Sequence, residues 1–320
     1  MASVAPPARR ARRKRFTHDD LELMAISLPS ILWYLAFCYV PMFGVVIAFK
    51  NYKVAPGKGL LYSLFVRSKW VGLDNFKFLF KTPDVWNILR NTVGYNLVFI
   101  LIGITVPVAL AILISQLYSR RLAKVCQTAM FLPHFLSWVV VSYFLYAFLS
   151  TDRGLVNSLL KASGGTPIQW YLEPKYWPFL LVFLNTWKGV GYSMVVYLAS
   201  IAGIDQSLYE SAVIDGASKW QQVKGITLPM LRPVISILFI MNIGHIFSSD
   251  FGLFFQATRD SNSIVSVTQT IDVYVYKVLV QGSNFSYSSA SALLQSVLGC
   301  VMILAANYFV KKIDPESGFF

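Results

Sequence analysis

The sequence predicts an all-α membrane protein with six transmembrane helices, on three observations. Of 320 residues, 56% are hydrophobic and 13% charged, where a soluble domain runs near 25% charged and 45–50% apolar. That balance argues against a soluble enzyme, and also against a disordered chain, which needs low hydrophobicity and high charge. Second, the chain holds six windows of the ~20 apolar residues that a spanning helix requires. Third, its 28 Lys and Arg against 15 Asp and Glu sit in a terminal tail and in short gaps between apolar runs. That placement suits lipid headgroups and argues against nucleic acid, which a folded basic stripe would serve. Aromatic residues, at 15%, suit two membrane interfaces.

The chain opens on a basic run, Arg9, Arg10, Arg12, Arg13, Lys14 and Arg15, followed by Thr17 and Asp20. Thr17 can cap a short helix with Asp20 at its third position. The apolar stretch behind it is too long for a signal peptide and lacks a small-residue cleavage site. Residues 1–25 therefore read as an uncleaved cytoplasmic tail and interfacial helix touching membrane lipid.

Ile26 to Phe49 is the first span, and an external segment follows, the two covering 26–86. From Lys50 to Arg90 the chain carries eight basic residues (Lys50, Lys53, Lys58, Arg67, Lys69, Lys77, Lys81, Arg90) against Asp74 and Asp84, which runs against the positive-inside rule. The next five spans fall within a core of residues 87–310: Asn91–Ser119, Val125–Thr151, Tyr176–Ile204 interrupted by Lys188, Pro233–Thr258 interrupted by Asp250, and Val278–Val310, apolar from Ala290 onward. Six spans return both termini to the inside, where Arg120, Arg121, Lys124, Lys219, Lys224, Arg232, Lys311 and Lys312 obey the rule; residues 311–320 form the C-terminal tail. Cys38, Cys126 and Cys300 all lie in apolar runs with no short spacing, so neither a disulfide framework nor a metal knuckle is expected.

The loop 205–229 between the fourth and fifth spans carries the most information. Asp205 can cap a helix through Tyr209, Glu210 and Ala212. Gly216 can end it in a left-handed conformation, Ala217–Val223 can form a second helix, and Pro229 can start the turn into the next span. Leu208, Tyr209, Ile214, Trp220 and Val223 alternate with charges, a pattern that fits a helix docking in a partner's groove.

This loop resembles the hallmark of the permease subunits of type I ABC importers: Glu-Ala-Ala, three residues, Gly, nine residues, then Ile-x-Leu-Pro. Glu210, Ala212, Gly216, Ile226, Leu228 and Pro229 stand at that spacing, and Ser211 replaces the first Ala. Leu132–Val141, Trp70–Lys77, Ile271–Tyr276 and Asn91-Thr92 further resemble the subset that takes up complex oligosaccharides and polysaccharides, including alginate- and pectin-type glycans. The resemblance implies the importer permease fold with a cytoplasmic coupling helix, whose contact residues here would include Glu210, Asp215 and Gly216. It also implies a second homologous permease, two ATP-binding cassette subunits, an extracytoplasmic solute-binding protein and a bacterial inner membrane. The chain would be no enzyme and would hold no cofactor, ATP and Mg being bound by the ATPase. No Gly-x-x-x-x-Gly-Lys-Ser/Thr phosphate loop occurs in the sequence, in keeping with that.

Charged residues inside spans are costly and face the protein interior. Asn185, Lys188 and Tyr192 share a helical face by spacing, and Asn242, His245 and Ser249 share another, with Asp250 beside it. Two such stripes suggest a hydrophilic sugar pathway, with Trp187 and Tyr192 as stacking faces. The alternative is that Lys188 and Asp250 pair with each other or with partner-chain groups and only fix helix packing; His134 reads as a packing or turn residue. Thr92–Asn96 imitates a potassium-channel filter, yet it opens a long helical run and ends in Asn rather than Gly. A secondary transporter would show repeated halves, and an intramembrane enzyme a paired catalytic set; neither is visible. The basic external segment and Lys188 together hint at a uronate-containing glycan, although the segment's charges would equally suit an acidic binding protein.

Overall fold

A computed structural model describes residues 18–81, 83–282, 284–314 and Gly318. The Arg9–Arg15 run, the Thr17 cap and most of the C-terminal tail lie outside the described residues. Among the described residues, five unbroken helices are long and apolar enough to cross a membrane, and the crossings number six when the bent pair Arg120–Phe135 and Trp138–Leu149 is counted as one.

The first crossing, Asp20–Phe49, starts as helix α1 (His18–Tyr34). It widens into a π turn at Leu35–Tyr39 just before Pro41 and tightens to a 3-10 helix over Phe43–Phe49. A wide turn relieves the clash and the lost donor that a mid-helix proline brings. Every residue from Asp20 to Phe43 is exposed. Beyond it, Lys50–Asn51 (β1) pairs antiparallel with Lys69–Trp70 (β2), the one strand pair among the described residues. Asn75 of α2 (Asp74–Lys81) clamps this turn by donating to the Ala48 and Lys50 carbonyls.

Helix α3 (Val85–Ser115) is the second crossing and α7 (Trp177–Ala202) the fourth, each within a few residues of its predicted window. The third departs from the single span expected over Val125–Thr151. It consists of α4 (Arg120–Phe131) with a 3-10 turn, Leu132–Phe135, and then α5 (Trp138–Leu149), bent by 100°. Pro133 removes a donor there, Leu136 is extended, and Ser137 restarts the helix by accepting from Val140 N. α6 (Leu155–Ala162) lies in the connection to α7.

The fifth crossing also differs. It runs as α9 over Lys219–Gly244, not Pro233–Thr258. A π turn at Val223–Thr227 absorbs Pro229, so the helix continues where a proline-started span was expected. It ends at Gly244, and Asp250 falls in the following break rather than inside a span. The sixth crossing is α11 (Phe285–Ile313), capped by Asn284; Val278–Gly282 belongs instead to a separate helix, α10 (Ile271–Gly282).

Three buried clusters hold the bundle. Trp177, Leu181 and Phe254 pack at one end, Met194, Tyr197 and Leu231 at the other, and Ile100, Ile240 and Ala306 between them. Two glycines let helix backbones approach closely: a Cβ on Gly299 would run into the Gly244 carbonyl, and one on Gly191 into that of Met130. Small residues at crossings are how membrane helices gain van der Waals contact.

Candidate functional site

Two places bring the candidate residues together: the loop at one end of the bundle and a polar cavity within it. Asp205 caps α8 (Gln206–Ile214), accepting from Ser207 N at 3.0 Å. That backbone hydrogen bond holds the Asp205 carboxyl below the usual carboxylate range. At its far end the Ala217 N–H donates to Ala212 O at 2.8 Å and the Gly216 N–H to Val213 O at 3.0 Å, with Gly216 at φ +78°. These two bonds make a complete Schellman stop.

Ser218 then caps α9 through a capping box with Gln221, so the helix starts at Lys219, two residues later than the start expected at Ala217. The Tyr209 hydroxyl meets the Thr227 hydroxyl at 2.9 Å and ties the two helices together. Val223 is buried, but Ile214 and Trp220 are 85% and 62% exposed, with Lys224 over the Trp220 ring. Glu210, Ser211, Asp215 and Gly216 are exposed, Ala212, Ile226, Leu228 and Pro229 half-buried. The loop thus presents a surface of mixed charge and apolar side chains held by its own caps.

The cavity, about 250 Å³, lies between α3, α7 and the end of α9. Asn96, Asn185, Thr186, Ser193, Asn242, His245 and Asp250 give it polar walls. Gly103 and Pro107 line it too, and Pro107 has no N–H to offer the Gly103 carbonyl.

Of the two predicted stripes, Lys188, Tyr192, Trp187 and Ser249 do not line this cavity. At about 100° per residue, Gly189 and Ser193 rotate one way from Asn185 and Lys188 the other. Lys188 Nζ donates to the His134 carbonyl at 3.1 Å and sits 5.3 Å over the Trp138 ring. Tyr192 stacks on His134 at 4.8 Å. Ser249 lies beyond the end of α9, so helical spacing from Asn242 fails; its N–H and hydroxyl both donate to Asp272.

Lys188 and Asp250 form no direct ion pair among the described residues; Trp138 stands between them. Its Nε1 donates to Asp250 Oδ2 at 2.6 Å, while Asp250 Oδ1 accepts from Gly252 N and Leu253 N. The bend in the third crossing is therefore pinned to α7 by Lys188 and to the post-α9 break by Asp250. Lys188→Met should cost the purified assembly about 1–3 kcal/mol of stability, since it strands a carbonyl; a thermal unfolding series in detergent reads this out, and unchanged stability with lost transport would return Lys188 to the pathway.

Sequence reading missed Trp138 and Asn96. Asn96 Nδ2 donates to Ile246 O and Ser248 O across from α3. It closes the filter-like Thr92–Asn96 string, which is plain helix inside α3. The signal was there: a polar residue in an apolar span has to find partners.

Among known proteins, the model of the family described as binding-protein-dependent transport system inner membrane component matches residues 103–315. The protein LplB of Bacillus subtilis (strain 168) is 34% identical over 94% of this chain and 92% of its own. The polygalacturonan/rhamnogalacturonan transport system permease protein YteP of the same organism is 33% identical over 97% and 94%. Among solved structures, a chain of a bacterial ABC transporter involved in import of the acidic polysaccharide alginate superposes with a TM-score of 0.81, at 32% identity, over 92% of this chain and 97% of that one. A second structure holds the alginate transporter in complex with an alginate pentasaccharide-bound periplasmic protein, with a TM-score of 0.80.

Proposed function

The chain belongs to the family of binding-protein-dependent transport system inner membrane components, and from that membership we propose that it is the membrane-spanning subunit of an ATP-driven importer for complex oligosaccharides, uronate-containing ones included. The observation that carries the substrate class is the full-length likeness to an alginate importer and to a polygalacturonan permease. The eight basic residues between Lys50 and Arg90 support the acidic glycan by charge, although Lys50 and Lys77 are already engaged locally, on the Leu64 carbonyl and on Asp74.

In this reading the loop 205–229 docks on an ATP-binding cassette subunit at the cytoplasmic face, with both termini on that side of the bacterial inner membrane. Glu210, Ser211, Ala212, Asp215, Gly216, Ile226, Leu228 and Pro229 form the docking element. ATP and Mg bind to two such ATPase subunits and not to this chain, which hydrolyses nothing itself. A difference in the ATPase pair's preference for two arrangements of the pathway is what moves it.

The cavity of about 250 Å³ is smaller than the ~300–1,000 Å³ usual for a bound organic ligand. A second permease is the natural source of the other wall, and a solute-binding protein delivers the sugar from the opposite face. Asn185, Asn242, His245 and Asp250 supply hydrogen-bond partners for sugar hydroxyls.

The test is uptake into proteoliposomes holding both permeases and the ATPase, with the binding protein supplied. Trigalacturonate should accumulate only with ATP, and should outcompete maltotriose. Uptake driven by an ion gradient without ATPase would make the chain a secondary transporter; preference for maltotriose would remove the uronate from the account.

A further inference from the structure

We propose that Arg259, at the end of the molecule opposite the loop 205–229, is a subsite that takes the carboxylate of an acidic sugar on its way into the pathway. This rests on the importer reading above and adds a residue and a chemistry to it. The placement follows from the fold: α5 ends at Leu149 and α7 begins at Trp177 near this site, whereas α7 runs from there to the loop at its other end.

Arg259 and Asp260 are the two non-glycine residues with left-handed backbones among the described residues, at φ 54° and 49°. Each such residue costs about 1–2 kcal/mol, and strain of this kind persists where the surroundings over-determine it and where function uses it. Here the surroundings do fix it. Thr258, buried, donates to the Phe254 carbonyl at 2.7 Å, and Ser261 Oγ donates to the Tyr171 carbonyl at 2.8 Å.

The strained pair sends its two charges apart. Asp260 forms an ion pair with Lys277, which leaves Arg259 without a carboxylate partner among the described residues. Arg259 instead lies over the Tyr146 ring at 4.3 Å. A guanidinium held over an aromatic face still carries its planar N–H fork, and that fork matches a carboxylate in bidentate geometry.

Two cavities, of about 290 and 310 Å³, flank Arg259, which lines both. Tyr146, Tyr171 and Asp152 line the second. Rings for sugar faces, a carboxylate to accept sugar hydroxyls and a guanidinium with no carboxylate partner among the described residues make up the chemistry of a uronate site; the substrate carboxylate has to seat on Arg259 and not on Asp152. The Tyr171 hydroxyl is buried and has no hydrogen-bond partner among the described residues. Burial pushes its pKa up to about 12, against a smaller pull downward from Arg259, so it stays a donor at neutral pH.

The experiment uses the complete transporter in proteoliposomes and two probes of one shape, trigalacturonate and its fully methyl-esterified, neutral form. Arg259→Gln should raise the uptake KM for trigalacturonate about tenfold and leave that of the ester unchanged. Arg259→Lys should fall between, because it keeps the charge and loses the fork. Glutamine faces the same left-handed backbone as arginine, so assembly is not expected to differ, and size-exclusion elution checks it. Affinity for the sugar-free binding protein should not move. An unchanged KM for trigalacturonate in Arg259→Gln overturns the proposal. An equal loss for both sugars together with weaker binding-protein affinity overturns it too, and makes Arg259 a protein contact. A wild-type transporter that takes up other sugars but neither probe refutes the uronate reading and this subsite with it, and is told apart because the unaltered protein already fails.

Discussion

Gly216→Pro should abolish ATP-driven uptake and ATPase co-purification while the six crossings still insert. Gly216 sits at φ +78°, and proline is locked near −65°. Its N–H also donates to Val213 O, a bond that proline cannot make. Both halves of the Schellman stop are lost, and α8 would swing away from the direction that Tyr209 and Thr227 fix by their hydrogen bond. Gly216→Ala separates this effect from simple crowding. Nothing lies within 4 Å of a Cβ at that site, so alanine meets only the left-handed penalty of about 1–2 kcal/mol. The graded expectation is near-normal assembly with reduced uptake for alanine and none for proline. Equal behaviour of the two variants would mean that the backbone turn at 216 does not set the docking surface.

Gly191→Ala should be the most damaging small substitution within the spans. A Cβ there would run into the Met130 carbonyl and approach Phe131 Cα at 2.7 Å. Both obstacles are backbone, so α4 and α7 must separate, and Lys188, three residues earlier, would lose its hold on His134. Overpacking costs about 1–3 kcal/mol when side chains can shift; a backbone obstacle puts this case at or above the top of that range. The expected result is little intact assembly on size exclusion. Gly189→Ala, two residues away with nothing within 4 Å, should assemble normally and narrow the cavity that it lines. Normal assembly of Gly191→Ala would show that the third crossing is not seated as described.

Much of this architecture was legible in the sequence, because membrane thickness converts directly into apolar length. Crossings one, two and four lie close to their predicted windows, and the caps at Asp205 and Gly216 follow from residue type alone. The bend at Leu136 and Ser137 was not legible. Pro133 signals a weak point, but the surroundings decide whether a proline kinks a helix or is absorbed, as Pro41 and Pro229 are beside π turns. Helical spacing placed Asn185, Asn242 and His245 on one cavity correctly. It failed for Ser249, since the helix had already ended, and for Lys188, whose long side chain reaches a carbonyl on another element. The Arg259 turn gave no sequence signal, because a left-handed Arg-Asp pair has none of the glycine that marks such turns.

The most direct measurement is a gentle-detergent purification of the chain from its native membrane, followed by identification of what co-purifies and an ATPase assay. The importer account predicts a second permease and an ATP-binding cassette subunit, with hydrolysis stimulated by the sugar-loaded binding protein and lost in Gly216→Pro. A chain that purifies alone and transports without ATP, or partners and hydrolysis indifferent to Gly216→Pro, would contradict it.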